Sequence, residues 1–306
     1  MTKELLLLTA PPAAGKTYWI QSLITQLGHA DLLIISPLRA LANECMIKWK
    51  GKVLVMTPEE WTAKKIYKPV VIFDEFHLHF YWGDTFRPQM WEVFFDLAGF
   101  ASLTILLTAT FSKEMEEEVK LFSCHFDKIL WVNHGNQILK NIPYSYLKIA
   151  DVRLMKKLIE FDKRSEGTSL IFCAYREEVM RWGEFLRQRG FKVWTCVGGE
   201  AAIFSLQVQA EEPPDFIVAT TVLSHGVNLP QVSTIYFLYA VKNIDFWIQM
   251  VARGGRRGER FRVFALENPY GIKWNRWTND LAILSLRFKI CYPRFKRQLS
   301  QWFLKD

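Results

Sequence analysis

Near the start of the chain, a lysine and a threonine follow a short loop of small residues. This loop, APPAAGKT at 10–17, comes after the apolar run 5–8 and precedes a segment compatible with a helix. A strand, a tight loop and a helix start suit a phosphate cradle, because backbone N–H groups and the helix dipole then face the anion. The alternative is an accidental GKT in a turn. The candidate phosphate-binding residues are Pro11, Pro12, Ala13, Ala14, Gly15, Lys16 and Thr17. We predict that Lys16 bridges the phosphates of a nucleotide and that Thr17 binds Mg²⁺.

Two adjacent acids, Asp74 and Glu75, end the apolar run 70–73. Acids at the carboxyl end of a buried strand lie where α/β sheets bind ligands. We predict that Asp74 holds Mg²⁺ through water and that Glu75 orients and deprotonates the attacking water. An Asp-Glu pair alone is common on surfaces, but its place behind a strand and after a phosphate loop favours catalysis.

A third group of chemically active residues lies in FWIQMVARGGRRGE at 246–259, where Arg253 and Arg256 are three residues apart. Planar guanidinium groups suit phosphoryl transfer, because they neutralise charge that develops on the γ-phosphate. The alternative is a basic loop that only contacts nucleic acid.

The elements that must position these residues are visible as short apolar runs between segments of helical character. Such runs are typical of strands buried on both faces of a parallel sheet, so the pattern predicts an α/β fold. The predicted strands are 5–8, 32–35, 53–56, 70–73, 103–107, 169–172, 191–194, 216–219, 233–239 and 262–266. The weak segment 134–167 places a domain boundary near residue 145, between two halves with the same alternating plan.

Composition excludes several classes of protein. The 306 residues are 50% apolar and 23% charged, which excludes a disordered chain. The five cysteines are odd in number and include no CxxC pair, which fits neither a disulfide framework nor a zinc knuckle. We find no signal peptide and no apolar stretch long enough to span a membrane, so we expect a cytoplasmic protein, associated with the nucleoid if bacterial or phage.

The positive charge is concentrated in one half. Residues 1–145 hold 14 Lys and Arg against 15 Asp and Glu, whereas residues 146–306 hold 25 against 16. A basic excess confined to one half indicates a surface for a polyanion, for which nucleic acid is the usual partner. A basic but merely soluble face is the alternative.

At this point the chain resembles the superfamily 2 helicases of the DExH type, reduced to their two-lobed core. Eight segments look like helicase motifs in the correct order over about residues 5–260, and PLRALANE, GVNLP and the Gln-Met of the last motif are most similar to the Ski-like branch. These segments are APPAAGKT (10–17), SPLRALANE (36–44), MTPEE (56–60), DEFH (74–77), TAT (108–110), SLIFCAYREE (169–178), ATTVLSHGVNLP (219–230) and QMVARGGR (249–256).

The resemblance implies a fold and roles for residues. The fold is two tandem RecA-like lobes, each a mostly parallel sheet flanked by helices, at 1–145 and 146–270, followed by a basic and aromatic helical extension at 271–306. The resemblance implies that the chain binds and hydrolyses MgATP. Gln249, Arg253 and Arg256 would act from the second lobe, and Gly226 and Asn228 would lie in the cleft between the lobes. Contacts to the sugar-phosphate backbone would come from Pro37, Arg39, Thr57, Thr220 and Thr221. Coupling residues would be His77, Thr108 and Thr110, with His77 hydrogen-bonded to the motif at 108–110 or to the last motif.

The predicted function is an ATP-dependent helicase that moves along single strands, with DNA favoured over RNA, and the resemblance to the Ski-like branch implies movement in the 3′→5′ direction. We expect a monomer that binds single-stranded or tailed-duplex nucleic acid, with a replication or repair protein as a possible partner and no membrane contact. One alternative is an ATPase switch or recruitment module that needs a partner protein and does not unwind alone. The other is an ATPase that remodels RNA, because contacts to phosphate and sugar do not distinguish the two nucleic acids.

The extension 271–306 has two interpretations. It holds eight Lys and Arg against two Asp, with seven aromatic residues interleaved. Bases stack on aromatic faces while cations follow the backbone, which would make it an auxiliary nucleic-acid element. We favour an amphipathic helix that packs its aromatic stripe on the second lobe.

Overall fold

The computed structural model describes residues 2–27, 31–48, 53–149, 152–161, 167–224 and 227–266. The chain divides into two compact units. Unit 1 comprises Met1–Asn136 with the short segments Ala201–Gln207 and His225–Asn228, and unit 2 comprises the remainder. Each unit is built on a six-stranded sheet in which every pair of neighbouring strands is parallel.

The sheet of unit 1 has the strand order β3-β2-β4-β5-β1-β6. Its central strands are apolar and almost wholly buried, as parallel strands covered on both faces must be. The strands are β1 (Glu4–Thr9), β2 (Leu32–Ile35), β3 (Leu54–Met56), β4 (Val70–Phe73), β5 (Leu103–Thr108) and β6 (Lys128–Asn133).

The helices of unit 1 bury apolar side chains against the two faces of this sheet. One cluster includes Phe73, Phe76 and Phe94, and the other includes Ile24, Ile34 and Ile72. The helices are α1 (Lys16–Leu27), α2 (Arg39–Lys48), α3 (Pro58–Lys64), α4 (Phe76–Gly83), α5 (Gln89–Phe100) and α6 (Lys113–Phe122).

The sheet of unit 2 has the order β7-β12-β11-β8-β10-β9. Its strands are β7 (Ser145–Ile149), β8 (Thr168–Phe172), β9 (Val193–Cys196), β10 (Phe216–Ala219), β11 (Val232–Phe237) and β12 (Arg262–Leu266). The remaining helices along the chain are α7 (Val152–Phe161), α8 (Arg176–Arg187), α9 (Ala201–Ala210) and α10 (Ile244–Val251). Aromatic side chains fill much of the core, including the stacked pair Tyr236 and Phe264.

The predicted α/β fold with two parallel-sheet lobes is confirmed, and all ten predicted strands are present within a few residues. The prediction omits β6 and β7, which are edge strands. β7 alternates polar and apolar residues, as an edge strand paired on one side can do. β6 does contain an apolar run at 129–132, so the signal was available.

Two further predictions concern the boundaries of the domains and the membrane. The division between the units falls after Asn136, nine residues before the proposed boundary at 145/146, and the extents 1–145 and 146–270 remain a proposal. The extension 271–306 lies outside the described residues. Among the residues searched, no helix is long and apolar enough to cross a membrane.

Candidate nucleotide and nucleic-acid sites

The loop that joins β1 to α1 has the backbone geometry of a tight anion-binding turn. The N–H of Ala14 donates to the carbonyl of Pro11 at 3.1 Å, which closes the turn. Ala13 and Gly15 have positive φ angles of 60° and 99°. A Cβ on Gly15 would meet no atom within 4 Å, so φ rather than crowding calls for glycine there. Because α1 begins at Lys16, its unpaired N-terminal N–H groups lie next to this loop.

Lys16 is held close to the same loop. Its Nζ donates to the carbonyl oxygen of Ala10 at 3.2 Å. Thr17 lies in the first turn of α1, and its side chain is outside the described part of the structure. The other predicted loop residues differ in exposure, with Pro11 and Pro12 buried and Ala13, Ala14 and Gly15 exposed.

Asp74 and Glu75 follow β4 directly. The N–H of Asp74 continues the sheet ladder to the carbonyl of Ile35, and the carboxylate of Asp74 accepts from the N–H of Glu75 at 3.0 Å. Glu75 has a left-handed backbone, with φ 47° and ψ 50°. Desolvation, followed by the charge of Glu75, raises the pKa of Asp74 to about 7, while Lys16 and the N–H of Glu75 oppose this rise. The carboxyl pair therefore lies within electrostatic reach of the lysine.

His77 connects the acids to the end of β5. Its Nδ1 lies 3.1 Å from Oγ1 of Thr108 and 3.5 Å from Oε2 of Glu75. The hydroxyl of Thr108 donates its one proton to the carbonyl of Thr110 at 2.7 Å, so its oxygen accepts from His77 and Nδ1 carries a proton. The expected hydrogen bond from His77 to the motif at 108–110 is present, and the coupling role of these three residues stays a prediction.

The predicted nucleic-acid residues of unit 1 occupy different environments. Arg39 is exposed at the start of α2, whereas Pro37 is buried. Thr57 is 2% exposed and caps α3, because its Oγ1 accepts from the N–H of Glu60 and Glu60 accepts from the N–H of Thr57. A direct contact between Thr57 and the sugar-phosphate backbone does not fit this burial. Its observed role is to shape the start of α3.

The predicted residues around 220–228 follow β10, with Thr220 and Thr221 in unit 2 and the segment His225–Asn228 in unit 1. Thr220 is half-buried and its N–H donates to the carbonyl of Cys196 at 3.2 Å. Thr221 is exposed and begins a short 3₁₀ turn at Thr221–Ser224. Asn228 is exposed, and Gly226 lies outside the described residues.

The predicted arginines follow α10 and are closely packed. Gln249 is 4% exposed and Arg253 is 2% exposed. Nε of Arg253 donates to the carbonyl of Ser224 at 3.0 Å, which joins the segment 249–256 to the segment 219–230. Arg256 is half-buried. The catalytic roles of these three residues stay predictions.

The glycines beside these arginines are explained by packing. A Cβ on Gly254 would overlap the ring of Phe261, and one on Gly255 would lie 2.7 Å from the same ring. Asn141 donates from its side chain to the carbonyl of Gly255. The glycine pair therefore lets the main chain approach an aromatic ring.

Some polar atoms of candidate site residues are buried and make no hydrogen bond within the described residues. They include Oε2 of Glu75, Oγ1 of Thr110 and Nε2 of Gln249. Buried polar atoms are normally paired, so such exceptions indicate an unrecorded partner such as a ligand or water. No group of three or more His, Cys, Asp and Glu side chains suits a metal within the described ranges. Mg²⁺ is commonly held by one or two carboxylates with water and substrate phosphates, and Asp74 is the carboxylate that would hold it here.

Sequence reasoning missed residues that support these sites. The Thr57 and Glu60 pair matches the S/T-x-x-E capping signature, so its helix-capping role was readable. Ser224 acts through its backbone carbonyl, which no sequence pattern reveals. Arg87 and Glu59, which contact each other beside Pro37, carry no local signature.

A known protein family matches part of the second half of the chain. Residues 150–258 match the family described as "Helicase conserved C-terminal domain". The match spans the elements from α7 to α10 and supports the resemblance of this part of the chain to helicases.

Relatives among characterised sequences are DEAD-box RNA helicases. An ATP-dependent RNA helicase dbp3 of Sclerotinia sclerotiorum is 24% identical over 168 residues, which is 51% of this chain and 28% of that protein. DEAD-box ATP-dependent RNA helicase 5 of Arabidopsis thaliana is 28% identical over 113 residues, covering 36% of this chain and 21% of that protein. The chain thus aligns with about a quarter of the length of these relatives. They do not support the Ski-like branch.

Solved structures share the fold. Saccharomyces cerevisiae Dbp5 bound to RNA and ADP BeF₃ has a TM-score of 0.69 at 15% identity, covering 93% of this chain and 82% of that one. Mss116p bound to ssRNA and AMP-PNP has a TM-score of 0.66 at 14% identity, covering 86% and 66%. At these identities the likeness establishes the helicase-core fold.

Proposed function

We propose that the chain hydrolyses ATP and couples hydrolysis to the binding and remodelling of single-stranded RNA. The observation that carries the hydrolytic part is the meeting of functional residues at three neighbouring strands. Asp74 and Glu75 follow β4, Thr108 ends β5 and the phosphate loop follows β1, and these strands are adjacent in the sheet. Carboxyl ends of parallel strands form the ligand crevice of α/β folds.

The residues of unit 1 have separable tasks in this proposal. The loop N–H groups and Lys16 bind phosphate oxygens, and Asp74 with Thr17 holds Mg²⁺. Oε2 of Glu75, which has no hydrogen-bond donor in the described residues, accepts a proton from water. Bound MgATP would supply the phosphoryl group and the metal charge that stabilises it.

In unit 2, we assign Gln249, Arg253 and Arg256 to the stabilisation of phosphate charge during hydrolysis. Nε2 of Gln249 is a buried donor without a hydrogen-bond acceptor in the described part of the chain, which supports a ligand-facing role. Guanidinium groups stabilise charge on a transferring phosphoryl group. The hydrogen bond from Nε of Arg253 to the carbonyl of Ser224 fixes the position of its guanidinium group.

RNA is proposed in place of the DNA favoured by the sequence reasoning. The relatives named above are RNA helicases, and the two similar structures are described with RNA. The comparisons support neither a DNA preference nor 3′→5′ movement. The exposed candidates for the RNA backbone are Arg39 and Thr221, with Thr220 half-buried.

Steady-state ATP hydrolysis with single-stranded RNA, single-stranded DNA and blunt duplex tests the proposal. We expect single-stranded RNA to stimulate hydrolysis most, with stimulation that weakens as salt increases because phosphate contacts release counterions. Glu75→Gln controls for contaminating ATPases, and Glu117→Gln, on the exposed face of α6, is its matched control. Hydrolysis that no polymer changes would contradict RNA coupling and favour the partner-dependent switch. Stronger stimulation by DNA would restore the DNA assignment.

A further inference from the structure

Arg87 joins three segments of unit 1 through its guanidinium group. It lies in the connection between α4 and α5. Its Nη1 donates to the carbonyl of Pro37 at 2.7 Å, while Nε and Nη2 donate to Oε1 of Glu59 at 3.1 and 2.5 Å. Its own N–H donates to the carbonyl of Trp82, and its guanidinium lies 5.5 Å from the ring centre of Trp82. The side chain is thus fixed at both ends.

The three joined segments all bear on the proposed sites. Pro37 lies in the segment 36–44 that leads to Arg39, and Glu59 is in the first turn of α3, which Thr57 caps. Arg87 follows α4, the helix that begins directly after Asp74 and Glu75. The arginine therefore connects both predicted nucleic-acid segments of unit 1 to the helix behind the acids.

Glu59 is the anchor of this cluster. Besides Arg87, it accepts from Nε2 of Gln89 at 2.9 Å. Burial acts to raise the pKa of Glu59, but hydrogen bonds from its own backbone and from Arg87 outweigh it and lower that pKa. The carboxylate therefore stays ionised and paired.

Arg87 is mostly engaged with protein acceptors. Its three printed hydrogen bonds use three of the five N–H groups of the guanidinium, and the side chain is 17% exposed. A charged hydrogen bond to a backbone carbonyl fixes the main chain itself, which an ion pair between two side chains does not do. A neighbouring ion pair, Lys65 with Asp96, also ties α3 to α5 but is about half exposed and does not reach Pro37.

We propose that Arg87 is a positioning residue that sets the spacing between the segment 36–44 and α3, and thereby sets the affinity for single-stranded RNA. This inference rests on the proposed function of the chain. It assigns Arg87 no contact with RNA or nucleotide. Loss of Arg87 releases the carbonyl of Pro37 and removes the cation paired with Glu59, so the two segments lose their fixed spacing.

The test measures ATP hydrolysis against the concentration of a single-stranded RNA of fixed length, with direct binding of the same labelled RNA in parallel. For Arg87→Gln we expect the half-saturating RNA concentration to rise roughly tenfold, the value of one charged hydrogen bond, with kcat at saturating RNA changed less than twofold. Arg87→Lys should recover part of the effect, because an ammonium group reaches one acceptor rather than both.

Two further variants test whether the effect comes from the contact between Arg87 and Glu59 or from a general loss of stability. Glu59→Gln should also weaken RNA binding, and the double variant with Arg87→Gln should lose less than the sum of the two. Asp96→Asn, which breaks the exposed pair with Lys65, should leave both parameters at wild-type values. Thermal unfolding of every variant is measured alongside.

Three results would overturn the inference. One is an Arg87→Gln protein with wild-type half-saturation. Another is a fall in kcat with half-saturation unchanged, which would place Arg87 in the chemical step. The third is an equal loss in Asp96→Asn, which would reduce the effect to general stability. If the wild-type protein itself binds no single-stranded RNA, the proposed function fails together with the inference, whereas a responsive wild type with an unaffected variant refutes the inference alone.

Discussion

The phosphate loop of unit 1 and the arginine loop of unit 2 both combine glycine with cations, yet they are built differently. In unit 1, Ala13 and Glu75 are non-glycine residues with positive φ, and Oε2 of Glu75 is buried without a hydrogen-bond donor in the described residues. In unit 2, Arg253 is buried with its Nε bonded to a carbonyl, and Gly254 lies against the ring of Phe261. Positive φ angles and an unpaired atom mark the phosphate loop and the acid pair of unit 1, and close packing marks the arginine loop of unit 2.

This difference teaches which substitutions should separate activity from stability. Lys16 and Glu75 add no apolar surface to the core of unit 1, so their loss should affect chemistry. The glycines in the unit 2 loop are part of the packing, so their replacement should affect folding before it affects chemistry. The predictions below test this contrast.

The largest effect is expected at Lys16. Lys16→Ala removes the cation of the phosphate loop and a single described bond, to the carbonyl of Ala10. We expect kcat/KM for ATP to fall by about 10²–10³, the range for one preorganised charge-stabilising donor, with thermal unfolding unchanged. Exposed Lys113→Ala is the control. A large loss of thermal stability in Lys16→Ala would contradict the claim that the phosphate loop of unit 1 serves chemistry rather than folding.

In unit 2, Gly254→Ala should destabilise the fold. The new methyl group overlaps the ring of Phe261, and overpacking of this kind costs about 1–3 kcal/mol. Chemical denaturation of the purified protein measures the loss. Adding Phe261→Leu should restore part of it, since the smaller side chain makes room, and Gly254→Ala with wild-type stability would refute the packing role.

The region behind the acids of unit 1 also holds an unpaired group that the proposed chemistry does not use. His79 is fully buried between Phe73 and Phe76, and neither ring nitrogen has a hydrogen-bond partner in the described structure. Desolvation, helped by the charges of Arg87 and His77 and opposed by Glu59, lowers the pKa of His79 to about 3.

Because that pKa is lowered in the folded state, the unfolded chain takes up a proton below about pH 6.5 while the folded chain does not until about pH 3. The free energy of unfolding should therefore decrease as the pH is lowered from about 6.5 to about 3. At pH 5 the contribution of His79 to this decrease is about 2 kcal/mol. His79→Leu should remove that part of the pH dependence, and exposed His125→Leu should not. Denaturation curves at pH 5 and pH 7.5 measure this pH dependence in the wild type and in both variants. Equal pH dependence in the wild type and in His79→Leu would contradict the prediction.

The smallest effect is expected at Thr108. Thr108→Val keeps the shape but removes the hydroxyl that joins His77 to the carbonyl of Thr110. We expect a loss of about 1 kcal/mol in stability and a weaker stimulation of ATP hydrolysis by RNA, with Thr108→Ser close to wild type. Retention of full stimulation in Thr108→Val would exclude this hydroxyl from coupling.

The sequence predicts the fold well because the central strands must be continuously apolar to be buried on both faces. It also singles out Asp74 and Glu75, which directly follow such a strand, and Lys16, which begins the helix after the loop that follows β1. Thr57 shows the limit, because a threonine hydroxyl serves as a helix cap as readily as a ligand and burial decides between them. Arg87 shows a second limit of sequence-based prediction. Its partners Pro37 and Glu59 lie 50 and 28 residues away along the chain, and only the fold brings them together.

The most direct test of the central claim compares nucleotide binding with hydrolysis in Glu75→Gln. The claim is that Glu75 accepts a proton from water while the loop and Lys16 hold the phosphates. The variant should bind ATP within threefold of wild type and hydrolyse it about 10²–10⁴ times more slowly. Equal hydrolysis in the two proteins, or a loss of binding that accounts for the whole loss of rate, would contradict it.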